Sequence, residues 1–300
     1  MPFVSVDDLI GAGVHFGHKV SRWNPKMGPY IHGKRNLIHI IDLVETIKGL
    51  ARGRTFLNRL GRAGQKIVVV GTKRQIKNVI QAEATRAGSP FVNERWLGGT
   101  LTNFTTIRSR LKRLEELEKL ESEGTMQLYV KKQQSRLTRE LRRIKKNLDG
   151  IRTLDKLPGA VLVVDPRKEY IAVKEANRLG IPILAVLDTD CDPTEVDIPI
   201  PGNDDAMKSV QILLAKLVDA FLEGKSQYSE AAAAEARAAE EDEDSIRTVR
   251  KRQGRQRQPP RRGPGGGGGD RRERKPESEG ESGQAEATTT APAGGPGGGA

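Results

Sequence analysis

The stretch Lys66-Ile67-Val68-Val69-Val70-Gly71-Thr72-Lys73 decides how the rest of this sequence is read. A run of β-branched residues has no polar face, so Lys66 to Val70 is predicted as a strand buried on both sides, the habit of a parallel sheet covered by helices. Gly71-Thr72 then turns the chain into a helix from about Arg74 to Ala87, stopped by Gly88 and Pro90, with a short extended piece at Phe91 to Asn93. Upstream, Leu43, Ile47, Leu50, Leu57 and Leu60 fall near helical spacing and predict a surface helix over residues 42–62. Downstream the same grammar returns: a strand at Ala160 to Val164, a helix at Lys168 to Leu179 closed by Gly180, a strand at Pro182 to Leu187, and a helix at Ala206 to Leu222. Alternating strands and helices favour a doubly wound α/β sandwich.

Two regions depart from this grammar. From Thr106 to Ile151 the chain is charged, with Ile107, Leu111, Leu114, Leu117 and Leu120, then Val130, Leu137, Leu141, Ile144, Leu148 and Ile151 as a narrow apolar seam. That spacing predicts a coiled-coil helical hairpin reversing at Glu123-Gly124-Thr125. The first 45 residues hold all four histidines. Pro25, Gly28 and Pro29 forbid a long helix there, so an irregular, ordered N-terminal arm is expected. The domain reading is therefore an α/β domain over 1–105 and 152–229, a hairpin insertion over 106–151, and a low-complexity, largely disordered tail over 230–300.

Charge narrows the partner. The chain has 51 Lys and Arg against 39 Asp and Glu, a net +12. The tail from Glu230 is neutral overall, so the excess sits in the predicted folded part and suggests a polyanion. No run approaches the roughly 18 apolar residues of a spanning helix, and the start lacks a signal peptide's basic and apolar regions, so a cytoplasmic address and no membrane partner are expected. A lone cysteine, Cys191, excludes an intramolecular disulfide and a cysteine-based zinc cluster.

Catalytic chemistry finds little support. Strand-Gly71-Thr72-Lys73-helix resembles a phosphate cradle, but neither G-x-x-x-x-G-K-S/T nor G-x-G-x-x-G follows a strand, and no nucleophile motif occurs. No small-molecule substrate and no cofactor are implied. In open α/β sheets ligands lie beyond the carboxyl ends of the strands, and those ends carry Asp165, Asp188, Asp190, Asp192, Glu195, Asp197, Asp204 and Asp205, which repel a pyrophosphate. These acids read as helix caps and turn formers, or alternatively as a divalent-metal site in which Asp188, Asp204 and Asp205 join His15 or His18.

Basic and aromatic residues cluster instead. Arg22, Trp23, Lys26, Lys34 and Arg35 crowd the arm, and Lys73, Arg74, Lys77, Arg95 and Arg108 surround the first half of the sheet. Lys and Arg neutralise phosphates, and aromatic rings accept unstacked bases. These ten residues are the candidate RNA-binding set. Trp96, before Gly98-Gly99, reads either as an RNA contact or as a plug at the hairpin base.

Several motifs then resemble one family: AGVHFGH (12–18), WNPKM (23–27), IIDL (40–43), VVVGTK (68–73), RWLGGTLTNF (95–104), IPILAVLDTDCDP (181–193) and IPGNDDA (200–206). Together they resemble the bacterial small-subunit ribosomal protein S2 family, in order from about Val4 to Val218. The resemblance implies a parallel five-stranded, flavodoxin-like domain with a coiled-coil hairpin, a ribosome-bound structural constituent and not an enzyme. It further implies binding to small-subunit ribosomal RNA where head meets body, neighbouring ribosomal proteins as partners, and a part in docking ribosomal protein S1. A nucleotide-dependent α/β enzyme and an RNA chaperone acting through the Arg-rich tail are the competing readings.

Overall fold

The computed structural model describes residues 4–229, so the expectations for the 230–300 tail lie outside the described residues. The arm is more regular than its composition suggested. A short helix α1 (Val6–Gly11), capped by the Ser5 hydroxyl accepting from the Asp8 amide at 3.0 Å, leads into β1 (Phe16–Lys19), β2 (Ile31–Arg35) and β3 (Ile38–Ile41). These strands form an antiparallel sheet in the order β1-β3-β2. The expected irregular arm is thus corrected. Pro25, Gly28 and Pro29 sit in a single 3-10 segment, Pro25–Tyr30, that links strands and replaces none. Asn36 and Leu37, at φ 49° and 60°, make the tight turn between β2 and β3, the left-handed pair that matches strand twist.

Helix α2 (Leu43–Arg62) follows, with the Asp42 carboxylate accepting from the Val44 amide at 2.8 Å. Then come β4 (Ile67–Val70), α3 (Lys77–Ala87) and β5 (Phe91–Val92). The hairpin helices are α4 (Phe104–Ser122) and α5 (Lys131–Leu148), and the chain closes with β6 (Ala160–Val164), α6 (Tyr170–Leu179), β7 (Ile183–Leu187), β8 (Ile198–Pro201) and a helix α7 from residue 207 through 229. Five strands pair in parallel in the order β5-β4-β6-β7-β8. Renumbered from β4, this is the flavodoxin-like order 2-1-3-4-5. Every residue of β4, β6 and β7 is buried, as their unbroken apolar runs require. Strand β8, Ile198-Pro199-Ile200-Pro201, is an edge, the position that tolerates proline. There the Thr46 hydroxyl of α2 donates to the Pro201 carbonyl at 2.7 Å, and a Cβ on Gly49 would lie 2.5 Å from the Pro199 carbonyl oxygen.

Two cores cover the two faces. Leu50 and Leu57 of α2, Ile80 of α3, and Leu213, Leu214 and Leu217 of α7 pack on one face against Ile67, Val69, Leu162 and Leu184. The other face carries Val68, Val70, Val163 and Ala185 under α6 and under the base of the hairpin, through Ile107, Leu111, Leu148 and Ile151. Farther out, Leu114, Leu117 and Leu141 form a separate small cluster with Leu120, Leu137 and Ile144 packed against it. Leu114 and Leu117 are wholly buried, each contributing roughly 1.5–3 kcal/mol relative to exposure. Gly124, at φ 69°, makes the reversal. Val130, assigned to the seam by its spacing, is 70% exposed.

Candidate nucleic-acid interface and strand-end cluster

The strand order reverses beside β4, and the carboxyl ends of β4, β6, β7 and β8 converge there. Each delivers one charged group: Lys73, Asp165, Asp188 and Asp204. The Lys73 ammonium lies 2.9 Å from Asp165, 2.7 Å from Asp204 and 2.9 Å from Asp205. From the arm, His18 places Nδ1 2.8 Å from Asp188 and Nε2 3.4 Å from Asp205. The His18 amide donates to the Thr189 hydroxyl at 3.0 Å and to Asp188 at 3.2 Å, and Gly17 lies so close that a Cβ would sit 2.6 Å from the Thr189 methyl. The crevice that holds nucleotides in related topologies is therefore filled by the chain itself.

The phosphate-cradle likeness of Gly71-Thr72-Lys73 also dissolves. Helix α3 begins at Lys77 and not near Arg74, so residues 74–76 form a turn that separates Gly71-Thr72-Lys73 from the helix start. Instead the Thr72 amide and hydroxyl both donate to Glu169, a buried carboxyl that desolvation pushes up.

Electrostatics in the cluster follow from burial. The hydrogen bond to Asp188 pushes His18 up to about 9, against desolvation and with help from the charges of Asp188, Asp190 and Asp204. Burial opposes the charge on Lys73, but Asp204 and Asp165 more than compensate and hold it cationic. Asp204 feels opposite pulls: burial, Asp188 and Asp165 outweigh Lys73 and push it up to about 8. Its Oδ2 is buried without a hydrogen-bond partner among the described residues. Burial also drives the Cys191 thiol upward, reinforced by Asp165, Asp190 and Asp204, so it is no nucleophile.

Donor atoms of His18, Asp188 and Asp204 lie within 4.8 Å of one another, a spacing that fits a divalent cation. Asp205 reaches the same histidine. His15 is not brought into that group: its ring stacks on Phe16 at 4.0 Å between centroids.

The candidate RNA residues divide. Arg22, Lys34, Arg35, Arg74 and Arg95 are exposed and make no hydrogen bond or ion pair with the described residues. Trp23 is partly exposed beside His39, with ring centroids 5.1 Å apart. The other four are tied down internally. Lys26 reaches Asp192 at 2.6 Å, Lys77 reaches Glu94 at 2.6 Å, Arg108 reaches Asp155 at 2.9 Å, and Lys73 is held in the carboxylate cage.

One organising residue escaped the sequence reading. Glu175 of α6 accepts from Trp96 Nε1 at 3.1 Å and from the amides of Gly99, Leu101 and Thr102 at 2.7, 2.9 and 3.2 Å. A single carboxylate thus gathers the RWLGGTLTN loop at the root of α4. Desolvation raises Glu175, yet those donors outweigh it and hold it below its ordinary value. Trp96, 5% exposed, is therefore the plug and not the RNA contact.

The strand order, with a crevice that His18 of the arm enters and whose charges pair with one another, defines a flavodoxin-like α/β protein. Residues 9–224 match the family model described as Ribosomal protein S2, and the chain belongs to that family. It is 53% identical over 228 residues to small ribosomal subunit protein uS2 of Rhodopirellula baltica, covering 76% of this chain and 88% of the relative. It is 50% identical over 232 residues to small ribosomal subunit protein uS2c of Cyanophora paradoxa, covering 77% of this chain and all of the relative. Proteins of this family are structural components of the small ribosomal subunit and not enzymes, and this chain is one of them.

Proposed function

We propose that this protein joins the small subunit by binding ribosomal RNA near the junction of head and body, contacts neighbouring ribosomal proteins there, and helps to dock ribosomal protein S1. The observation that carries the RNA reading is the set of exposed, unpaired cations Arg22, Lys34, Arg35, Arg74 and Arg95. Unpaired surface cations of one sign create a positive potential that attracts a polyanion. Lys26, Lys77 and Arg108 join the interface only by exchanging a carboxylate for a phosphate, and Lys73 supports the fold beneath it. The 1–105 and 152–229 domain is the RNA-facing body in this reading, and the 106–151 hairpin, with its coiled-coil seam, is a platform for partners.

The test is assembly. Arg22, Lys34 and Arg35 replaced together by Ala are expected to weaken co-sedimentation with small subunits lacking this protein, and each lost phosphate contact flattens the salt dependence by about 0.9 in the log-log slope on duplex. An unchanged slope overturns the assignment. Subunits depleted of the protein are expected to retain less S1.

A second reading concerns the strand-end cluster. The partnerless Oδ2 of Asp204 favours a divalent cation held by His18, Asp188 and Asp204, which relieves carboxylate repulsion and fastens the arm. Metal content and thermal midpoint before and after chelation, compared with Asp188→Asn, test it. A metal-free preparation whose midpoint ignores chelator leaves the carboxylates as caps and ion-pair partners.

A further inference from the structure

Helix α5 carries eight basic residues between Lys131 and Lys146 and one acid, Glu140. Lys145 and Lys146 are spoken for, lying 3.5 Å from Glu118 and 3.6 Å from Glu94. Lys132, Arg136, Arg139 and Arg143 are not. They succeed one another at steps of four, three and four residues, so they form one stripe along the helix. The stripe runs about 16 Å along the axis. All four are exposed, and none has a hydrogen bond or ion pair with a described residue.

With Arg110 of α4 they border a cleft of about 1050 Å³ whose aliphatic wall is Leu97, Ile144 and Leu148. The one carboxylate in that lining, Glu140, is already drawn to Arg113 at 3.5 Å. Five cations thus face a common space in which no free anion of the described residues answers them. Like charges at these spacings repel in the isolated helix. A polyanion removes that cost. No aromatic anchor of the kind that dominates protein interfaces lines the cleft, and Arg95, unpaired and exposed, stands two residues from Leu97 of its wall.

We infer that this cleft binds a single-stranded segment of ribosomal RNA. Its phosphates lie on Lys132, Arg136, Arg139, Arg143 and Arg110, and its sugars and base edges lie on Leu97 and Ile144. The inference rests on the RNA reading above and adds a contact surface that none of that reading's residues supplies. A positively charged groove that tracks a backbone is the general means of holding one strand, and guanidinium planes also stack on unpaired bases.

The experiment uses the full chain and a transcript of small-subunit ribosomal RNA. Arg136, Arg139 and Arg143 are replaced together by Gln, which keeps helix propensity. Wild type and variant are titrated with the RNA across a range of salt. The variant is expected to bind about tenfold or more weakly at moderate salt, with a log-log slope shallower by about 2, since each contact to a single strand is worth about 0.7. A photo-crosslinker on Ser135→Cys, selective because Cys191 is buried, is expected to capture RNA in assembled subunits. Wild-type protein that ignores the transcript overturns the reading on which this one rests. Wild-type binding with an unaltered slope in the triple variant, or crosslinks from Ser135 to protein alone, overturns the cleft assignment by itself.

Discussion

The crevice at the ends of β4, β6, β7 and β8 and the cleft along α5 both gather charge, and they treat it in opposite ways. In the crevice Lys73 and His18 answer Asp165, Asp188, Asp204 and Asp205 within hydrogen-bond or ion-pair reach, largely out of solvent. Along α5, Lys132, Arg136, Arg139 and Arg143 answer nothing inside the described protein. Charge that is matched at home has been used to hold the fold. Charge left unmatched at the surface is available to a partner, and so the position most suited to a ligand by topology is the less suited by chemistry.

Removing cations from each region, one from the crevice and three from α5, should separate the two most plainly. Lys73→Met strands buried carboxylates and is expected to cost about 3–5 kcal/mol in urea unfolding, the usual penalty for an uncompensated buried charge. The triple Gln variant of α5 should stay within about 0.5 kcal/mol of wild type, because exposed residues seldom matter to stability. Equal losses would erase the distinction. Next in size is Glu175→Gln, whose amide cannot accept from the donors on both of its faces. A loss of about 1.5–3 kcal/mol is expected from the weakened charge-assisted bonds, read as a lower urea midpoint.

Acidity sharpens the comparison further. His18 rises to about 9 in the folded protein from an unfolded value of 6.5, so the folded state holds the extra proton. Its stabilisation is complete below about pH 6.5 and disappears as pH rises through about 9, on the order of 1–2 kcal/mol in chelator-treated protein. The rise of Asp204 acts in the same sense at lower pH, so His18→Asn should remove the alkaline part of the decline only. Added zinc should reverse that trend if it binds, since the metal displaces the proton from the imidazole. The smallest effect belongs to Asp192, which the hydrogen bond from Lys26 pulls down to about 2. Its contribution is present above about pH 3.8 and fades as pH falls through about 2. Asp192→Asn should cost under about 1 kcal/mol, as partly exposed pairs do, and a larger loss would mean Lys26 is structural and unavailable to RNA.

The strands that could be read from sequence were those with no polar face, β4, β6 and β7, because a short unbroken apolar run rich in Val and Ile and bounded by turn residues admits few other structures. Strand β8 was missed as a strand because two prolines interrupt it, a pattern that only its edge position permits. The arm's small sheet was hidden for a related reason: His39 and Ile41 are the buried residues of β3, and neither β1 nor β2 has one, so no alternation announces itself. The crevice was half visible. Its carboxylates stood out at the strand ends, but Lys73 looked like an RNA ligand because Asp204 and Asp205 lie 131 and 132 residues away in the chain. Glu175 resembled any solvated helix residue. The α5 stripe is legible at its three- and four-residue spacing, on the same helix as the apolar seam of Leu137, Leu141 and Leu148.

The prolines of β8 carry a consequence for the protein before it meets its partners. A sheet edge is ordinarily a template on which another chain can lay a strand. Here Pro199 and Pro201 have no amide hydrogen to offer, the Pro201 carbonyl is taken by Thr46, and α2 presses Gly49 against the Pro199 carbonyl. At the far side, β5 is only two residues long. Among the described residues, neither border of the five-stranded sheet offers a full row of backbone donors and acceptors on which a second copy could lay a strand.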